Sequence, residues 1–98
     1  MAKGYWIARL DVHNVDGYKE YVARNGAVFE KYGAKFLVRA GRFECKEGSS
    51  RSRNVVLEFK DYDTALACYN SPEYADLVAI RAPHAISDLV IVEGYDGP

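Results

Sequence analysis

RNVVLEFKDYDTALACYNSPEYADLVAIR, residues Arg53 to Arg81, carries a core strand, a helix and a second, re-capped helical turn in one continuous run. Val55, Leu57 and Phe59 alternate with Val56 and Glu58, the period-two pattern of a strand whose faces meet different surroundings. Asp61 or Asp63 then starts a helix, because either carboxylate can accept hydrogen bonds from the orphan amides of the first turn. Ala65, Leu66, Cys68 and Tyr69 follow at helical spacing. At Asn70-Ser71-Pro72-Glu73-Tyr74 the helix breaks and restarts. Pro72 disfavours helical geometry at the residue before it but suits the first helical position, while Ser71 caps the new turn and Glu73 favours its positive end.

Working outward, the remaining chain repeats this plan. Tyr5 to Val12 alternates Trp6, Ala8, Leu10 and Val12 against Tyr5, Ile7, Arg9 and Asp11, which predicts a strand with one apolar face. From Val15 or Asp16 to Tyr32, the stripe Tyr18, Tyr21, Val22, Asn25, Phe29 and Tyr32 predicts a helix capped by Gly33. Gly17 and Gly26 weaken that helix by roughly 1 kcal/mol each relative to alanine. Ala34 to Ala40 reads as a second strand, with Phe36 and Val38 on one face and Leu37 and Arg39 on the other. Gly41 is placed at a bulge, Arg42 to Lys46 continue outward, and Glu47 to Ser52 form a solvated hairpin loop. Asp88 to Tyr95 is the last strand and Asp96-Gly97-Pro98 a short tail.

VVLEF, SPEY, Arg81 and the closing DLVIVEG, together with KGYWIARLDV at the start and FLVRAGRFECKEG in the middle, resemble the domain of unknown function 1330 family of the dimeric α+β barrel superfamily. The resemblance covers nearly the whole chain. It implies a ferredoxin-like subunit that dimerises through its sheet, and it brings neither an established activity nor an agreed catalytic set. The residue pattern leads to the same architecture. Strand, helix, strand, strand, helix, strand makes two split βαβ halves, hence an α+β ferredoxin-like antiparallel sheet with helices on one face and strand order 4-1-3-2. The uncovered face then shows Tyr5, Ile7, Arg9, Leu37, Arg39, Val56 and Glu58, too apolar for open water, so a homodimer is expected there.

The chain of 98 residues is expected to form a single domain. A domain of this size buries only about 60 to 65% of the surface its unfolded chain exposes, and pairing would enlarge the core. With 13 Lys plus Arg against 14 Asp plus Glu, its net charge of −1 gives no field for nucleic acid or an acidic membrane. The third strand, NVVLEF, also lacks the stacking aromatics of an RNA-binding sheet. Cys45 and Cys68 sit in different elements without metal spacing and read as free thiols in a reducing cytoplasm. No apolar run approaches the ~20 residues of a membrane span, and the amino terminus lacks a signal peptide's apolar core.

Candidate chemistry falls into three groups. On the predicted bare face Glu58 is expected to bridge Arg9 and Arg39, either as an anion-binding constellation or as a structural ion pair inside the dimer. His13, Tyr18, Tyr21 and Tyr69 border a predicted pocket between helices and sheet. There a histidine beside a phenol can move a proton, or the tyrosines simply pack the core. Arg81 either closes that pocket or favours the end of its helix. Asp11, His13 and His84 are too scattered for a metal site. No GxGxxG, GxxxxGK or GxSxG occurs, so nucleotide folds and serine hydrolases find no support; no cofactor is expected. The expected function is small-molecule binding, possible anionic ligands included; the alternative is cofactor-independent monooxygenase or isomerase chemistry using His13, tyrosines and Arg39.

Overall fold

The computed structural model describes residues 2–98. These form β1 (Gly4–Val12), α1 (Val15–Lys31), β2 (Lys35–Arg39), β3 (Arg53–Phe59), α2 (Tyr62–Tyr69), α3 (Pro72–Arg81) and β4 (Ala85–Glu93). The strands make one antiparallel sheet in the order β2-β3-β1-β4, the order expected from the sequence. Each helix starts on a capping side chain. Asn14 accepts from the Gly17 amide, Asp61 from that of Thr64 at 2.7 Å and Ser71 from that of Tyr74 at 3.2 Å, with Pro72 opening α3. Gly33 follows α1 with φ +68°, the left-handed geometry its missing side chain permits.

The ladder register defines the face beneath the helices. Phe36, Leu57, Trp6 and Ile91 form one row across the four strands, and Arg39, Val55, Ala8 and Leu89 form the next. Arg53, Leu10 and Ser87 form a third. Trp6, 2% exposed, is the hub of this core, with its indole N–H donating to the Ala65 carbonyl at 2.9 Å. Phe29 and Tyr74 meet its ring edge-on at 5.4 and 4.9 Å. Gly4 lies where β1 passes under the start of α2, and a Cβ there would sit 2.4 Å from the Asp61 carbonyl oxygen. Gly17 likewise leaves room for the His84 ring, so this glycine within α1 serves packing at the cost of helix propensity.

Three boundaries differ from the sequence reading. The bulge lies inside β2, not at Gly41: Phe36 faces Leu57 and Val38 faces Val56, so Leu37 and Val38 together oppose a single residue. One inserted residue reverses the alternation beyond it, which turns Val38 outward and Arg39 inward. Ala40 then takes φ 55°, which ends β2, and Arg42 to Lys46 do not extend it. The connection that follows is anchored rather than wholly solvated. Arg51 donates to Asp88 at 2.8 Å and to Asp11 at 2.9 Å, while Ser52 donates its amide and hydroxyl to Asp11. Finally, β4 begins at Ala85, three residues before the expected Asp88, and ends at Glu93.

The far face of the sheet carries a second apolar row, Val38, Val56, Ile7 and Val90, one residue from each strand. Ile7, Val38, Val90 and Val92 are each at least 40% exposed, and Leu37 and Ile86 are also open. Among the described residues, no helix is long and apolar enough to cross a membrane.

Candidate functional site

The inward stripe of α1 is Tyr18, Tyr21, Asn25 and Phe29, residues three or four apart and all buried. Opposite it, the Ser71 hydroxyl donates to the Cys68 carbonyl at 2.7 Å and accepts from the Tyr74 amide, which fixes the first turn of α3 and aims the fully buried Tyr74 at α1. Arg81, two turns later, lies on the same face. Its guanidinium donates to the Tyr74 hydroxyl at 2.9 Å and to that of Tyr21 at 3.5 Å, and the two hydroxyls are 2.7 Å apart.

These side chains roof a cavity of about 30 Å³ whose floor is Ala8, Leu10, Val55 and Leu89. Its remaining polar walls are Tyr18, Asn25, Arg39 and Arg53. Arg39 reaches back over the Phe36 ring at 4.3 Å, and Arg53 lies over the Tyr18 ring at 5.5 Å. Three guanidiniums therefore line one cavity, and among the described residues no Asp, Glu or His lines it. Among the described residues none of the three forms an ion pair. Arg81 is only 6% exposed, so a cation is buried with neutral partners, an arrangement that costs free energy in the absence of an anion. The Arg53 Nε and the Asn25 Oδ1 are both buried without a hydrogen-bond partner among the described residues.

Tyr18 and Tyr74 are held protonated. Burial pushes Tyr74 well above the ordinary phenol range. Burial also raises Tyr18, against the opposing pull of Arg53. Neither is a base near neutrality; both are hydrogen-bonding groups. Cys68, on the inward face of α2 and fully buried, is pushed up to about 12 by desolvation and is an inert thiol.

Of the residues expected to act, Tyr18, Arg39 and Arg81 meet at this cavity, together with Tyr21. The expected grouping of Arg9, Arg39 and Glu58 does not form, because the β2 bulge carries Arg39 to the other side of the sheet. Glu58 instead accepts from Lys3 at 3.2 Å and from the Tyr5 hydroxyl at 3.3 Å, and Arg9 stands on the outer face between Asn54 and Asp88. His13 is exposed beyond the end of β1, its Nε2 3.0 Å from the Pro83 carbonyl, and does not reach the cavity. Tyr69 packs edge-on against Trp6 at 5.7 Å and does not line the cavity. Asp11 is engaged by Arg51 and Ser52, and no cluster of three metal-ligating side chains occurs among the described residues. Sequence reasoning missed Asn25, Arg53 and Tyr74 as site residues. Asn25 is the polar member of an otherwise aromatic stripe, and Arg53 shares the parity of Val55, Leu57 and Phe59, so each carried a readable signal.

This sheet, with its helices on one side and the cavity between the layers, is the ferredoxin-like architecture of the dimeric α+β barrel proteins. A protein of unknown function from Rhodopseudomonas palustris superposes with a TM-score of 0.75 at 18% identity, over 98% of this chain and 85% of that one. SnoaB, a cofactor-independent oxygenase from Streptomyces nogalater, does so at 0.66 and 14% identity, over 99% and 97% of the two chains. A dimeric ferredoxin-like protein of unknown function from Thermobifida fusca reaches 0.56 at 15% identity, over 94% and 91%. At these identities the likeness is one of fold. The chain belongs to the family described as domain of unknown function (DUF1330), whose sequence pattern matches residues 3–95. No curated protein matches it.

Proposed function

We propose that this chain binds a small organic anion in the cavity between its helices and its sheet, and that two copies pair through the opposite sheet face. The observation that carries the first part is the set of three guanidiniums, Arg39, Arg53 and Arg81, around one cavity without a carboxylate among its lining residues. An incoming carboxylate or similar anion supplies the missing counter-charge, and arginine presents donors in a fork that suits it. Because pockets for drug-sized ligands enclose about 300 Å³ or more, the occupant is small, or the side chains at the rim move to admit it. Arg39 is exposed and Arg53 half-buried, and both have flexible stems.

Proton-transfer chemistry has less support. Among the described residues neither His13 nor any carboxylate lines the cavity, and burial raises the phenols of Tyr18 and Tyr74, which keeps both protonated near neutrality. A binding role accounts for the same residues without a base. The pairing of two copies is supported by the exposed row Val38, Ile7 and Val90, and it agrees with the dimeric state of the Thermobifida fusca protein. Calorimetric titration with acetate and with acetamide, matched in size and differing in charge, tests the anion reading. Acetate is expected to bind and acetamide not; equal binding of the two, or none by acetate, overturns it.

A further inference from the structure

We infer that the anion taken by this cavity is a short dicarboxylate, with one carboxylate at Arg81 and the other between Arg39 and Arg53. This rests on the anion reading above and adds to it the number and spacing of the ligand's charges. Charge accounting supplies the first reason. Arg39, Arg53 and Arg81 bring three positive charges to the cavity wall, and among the described residues no acidic side chain lines it. Tyr18 and Tyr74 stay protonated and offset none of this charge. A single carboxylate leaves two of the three cations uncompensated, whereas a dicarboxylate leaves one.

The cations also fall at two places. Arg81 hangs from α3, is buried, and stands over the rings of Tyr21 and Tyr74 at 5.3 and 5.9 Å. Arg39 and Arg53 rise instead from the sheet at its β2 side. Arg39 pairs with Val55, and Arg53 lies two residues before Val55 on β3, so the two arginines are diagonal neighbours on one face. Long side chains so placed are within reach of one another, yet among the described residues neither has an acid as partner. An anion seated between them relieves that like-charge contact. The row that Arg39 begins continues across the sheet as Val55, Ala8 and Leu89, the apolar floor of the cavity. A hydrocarbon spacer suits that floor, whereas a compact dianion carries both charges to one place and leaves the other unmet.

Succinate and succinamate share one heavy-atom frame and differ by one charge, and calorimetric titration of the wild-type protein with each, and with sulfate, is the test. Succinate is expected to bind about tenfold more tightly than succinamate or better, since the amide forfeits one charge-assisted pairing with arginine. Sulfate, whose two charges sit on one group, is expected to bind more weakly than succinate. In the double variant Arg39→Gln, Arg53→Gln, whose fold is checked by circular dichroism, succinate and succinamate are expected to bind alike. In Arg39→Gln alone, at an exposed position, the preference is expected to fall at least about threefold. Equal wild-type affinities for succinate and succinamate, or binding of acetate without succinate, overturn the dicarboxylate and leave the anion reading standing. Failure of succinate, succinamate and acetate alike overturns both. Sulfate binding as tight as that of succinate overturns the two-ended placement. A succinate preference unchanged in folded Arg39→Gln overturns the position given to the outer carboxylate.

Discussion

Replacing Arg81 with methionine separates a binding arginine from a structural one. In the free protein Arg81 is 6% exposed and its guanidinium has two neutral hydroxyl partners, at 2.9 and 3.5 Å. The shorter bond involves a charged donor and is worth about 1.5 to 3 kcal/mol; the longer is at the geometric limit and contributes little. Against this stands the cost of desolvating a cation without a counter-ion, several kcal/mol. Tyr21 and Tyr74 keep each other as partners at 2.7 Å after the substitution, so neither hydroxyl is stranded. The balance predicts that unliganded Arg81→Met is as stable as the parent or up to about 2 kcal/mol more stable. Urea unfolding at fixed protein concentration measures this. With a slope of about 1 to 3 kcal/mol/M, the midpoint is expected to hold or to rise, by no more than about 2 M. The same variant is expected to lose stabilisation by acetate. A loss of more than about 2 kcal/mol in the absence of ligand would show that Arg81 holds the fold together, and the reasoning about an uncompensated cation would be refuted.

Other parts of the structure make separate predictions. Val90→Asp places a charge in the exposed apolar row opposite Ile7, and it is expected to shift sedimentation from dimer to monomer; an unchanged mass would remove that face as the interface. The Asp11 carboxyl is held below its usual range by the Ser52 backbone amide and then by Arg51, so the clasp it forms is complete above the unfolded carboxyl pKa of about 3.9 and is lost as pH falls through the lower native value. The Ser52 amide resonance should report that transition below the ordinary carboxyl midpoint, and a midpoint at or above it would contradict the bonding. Gly4→Ala forces a methyl against the Asp61 backbone carbonyl and should destabilise by about 1 to 3 kcal/mol in urea unfolding. A neutral result would mean that the β1–α2 crossing is looser than described.

The fold was legible because local and long-range signals agree. Asp61 or Asp63 marks one helix start and Ser71-Pro72 the other; the caps that form are Asp61 and Ser71, with Pro72 opening its helix, and alternation in β1 and β3 assigned the correct residues to the core. The β2 bulge was not legible. In KFLVR both Leu37 and Val38 are apolar, so the alternation fits either face, and no glycine or proline marks the extra residue. That one residue decided the site, since it carries Arg39 from the outer face to the cavity. The start of β4 was hidden by Ser87 and Asp88, polar residues on a strand whose partner pairing, not its composition, sets its length. In sequence Tyr74 is one residue of a capping stretch, and only the meeting of α1 with α3 brings its hydroxyl to Tyr21.

The position of a bound anion tests the central claim most directly. In wild-type protein with carbon-13-labelled acetate, the account predicts nuclear Overhauser contacts between the acetate methyl and the rings of Tyr21 and Tyr74, beside Arg81. Contacts confined to Ile7 and Val90 on the outer face, or no contacts at saturating acetate, would contradict it.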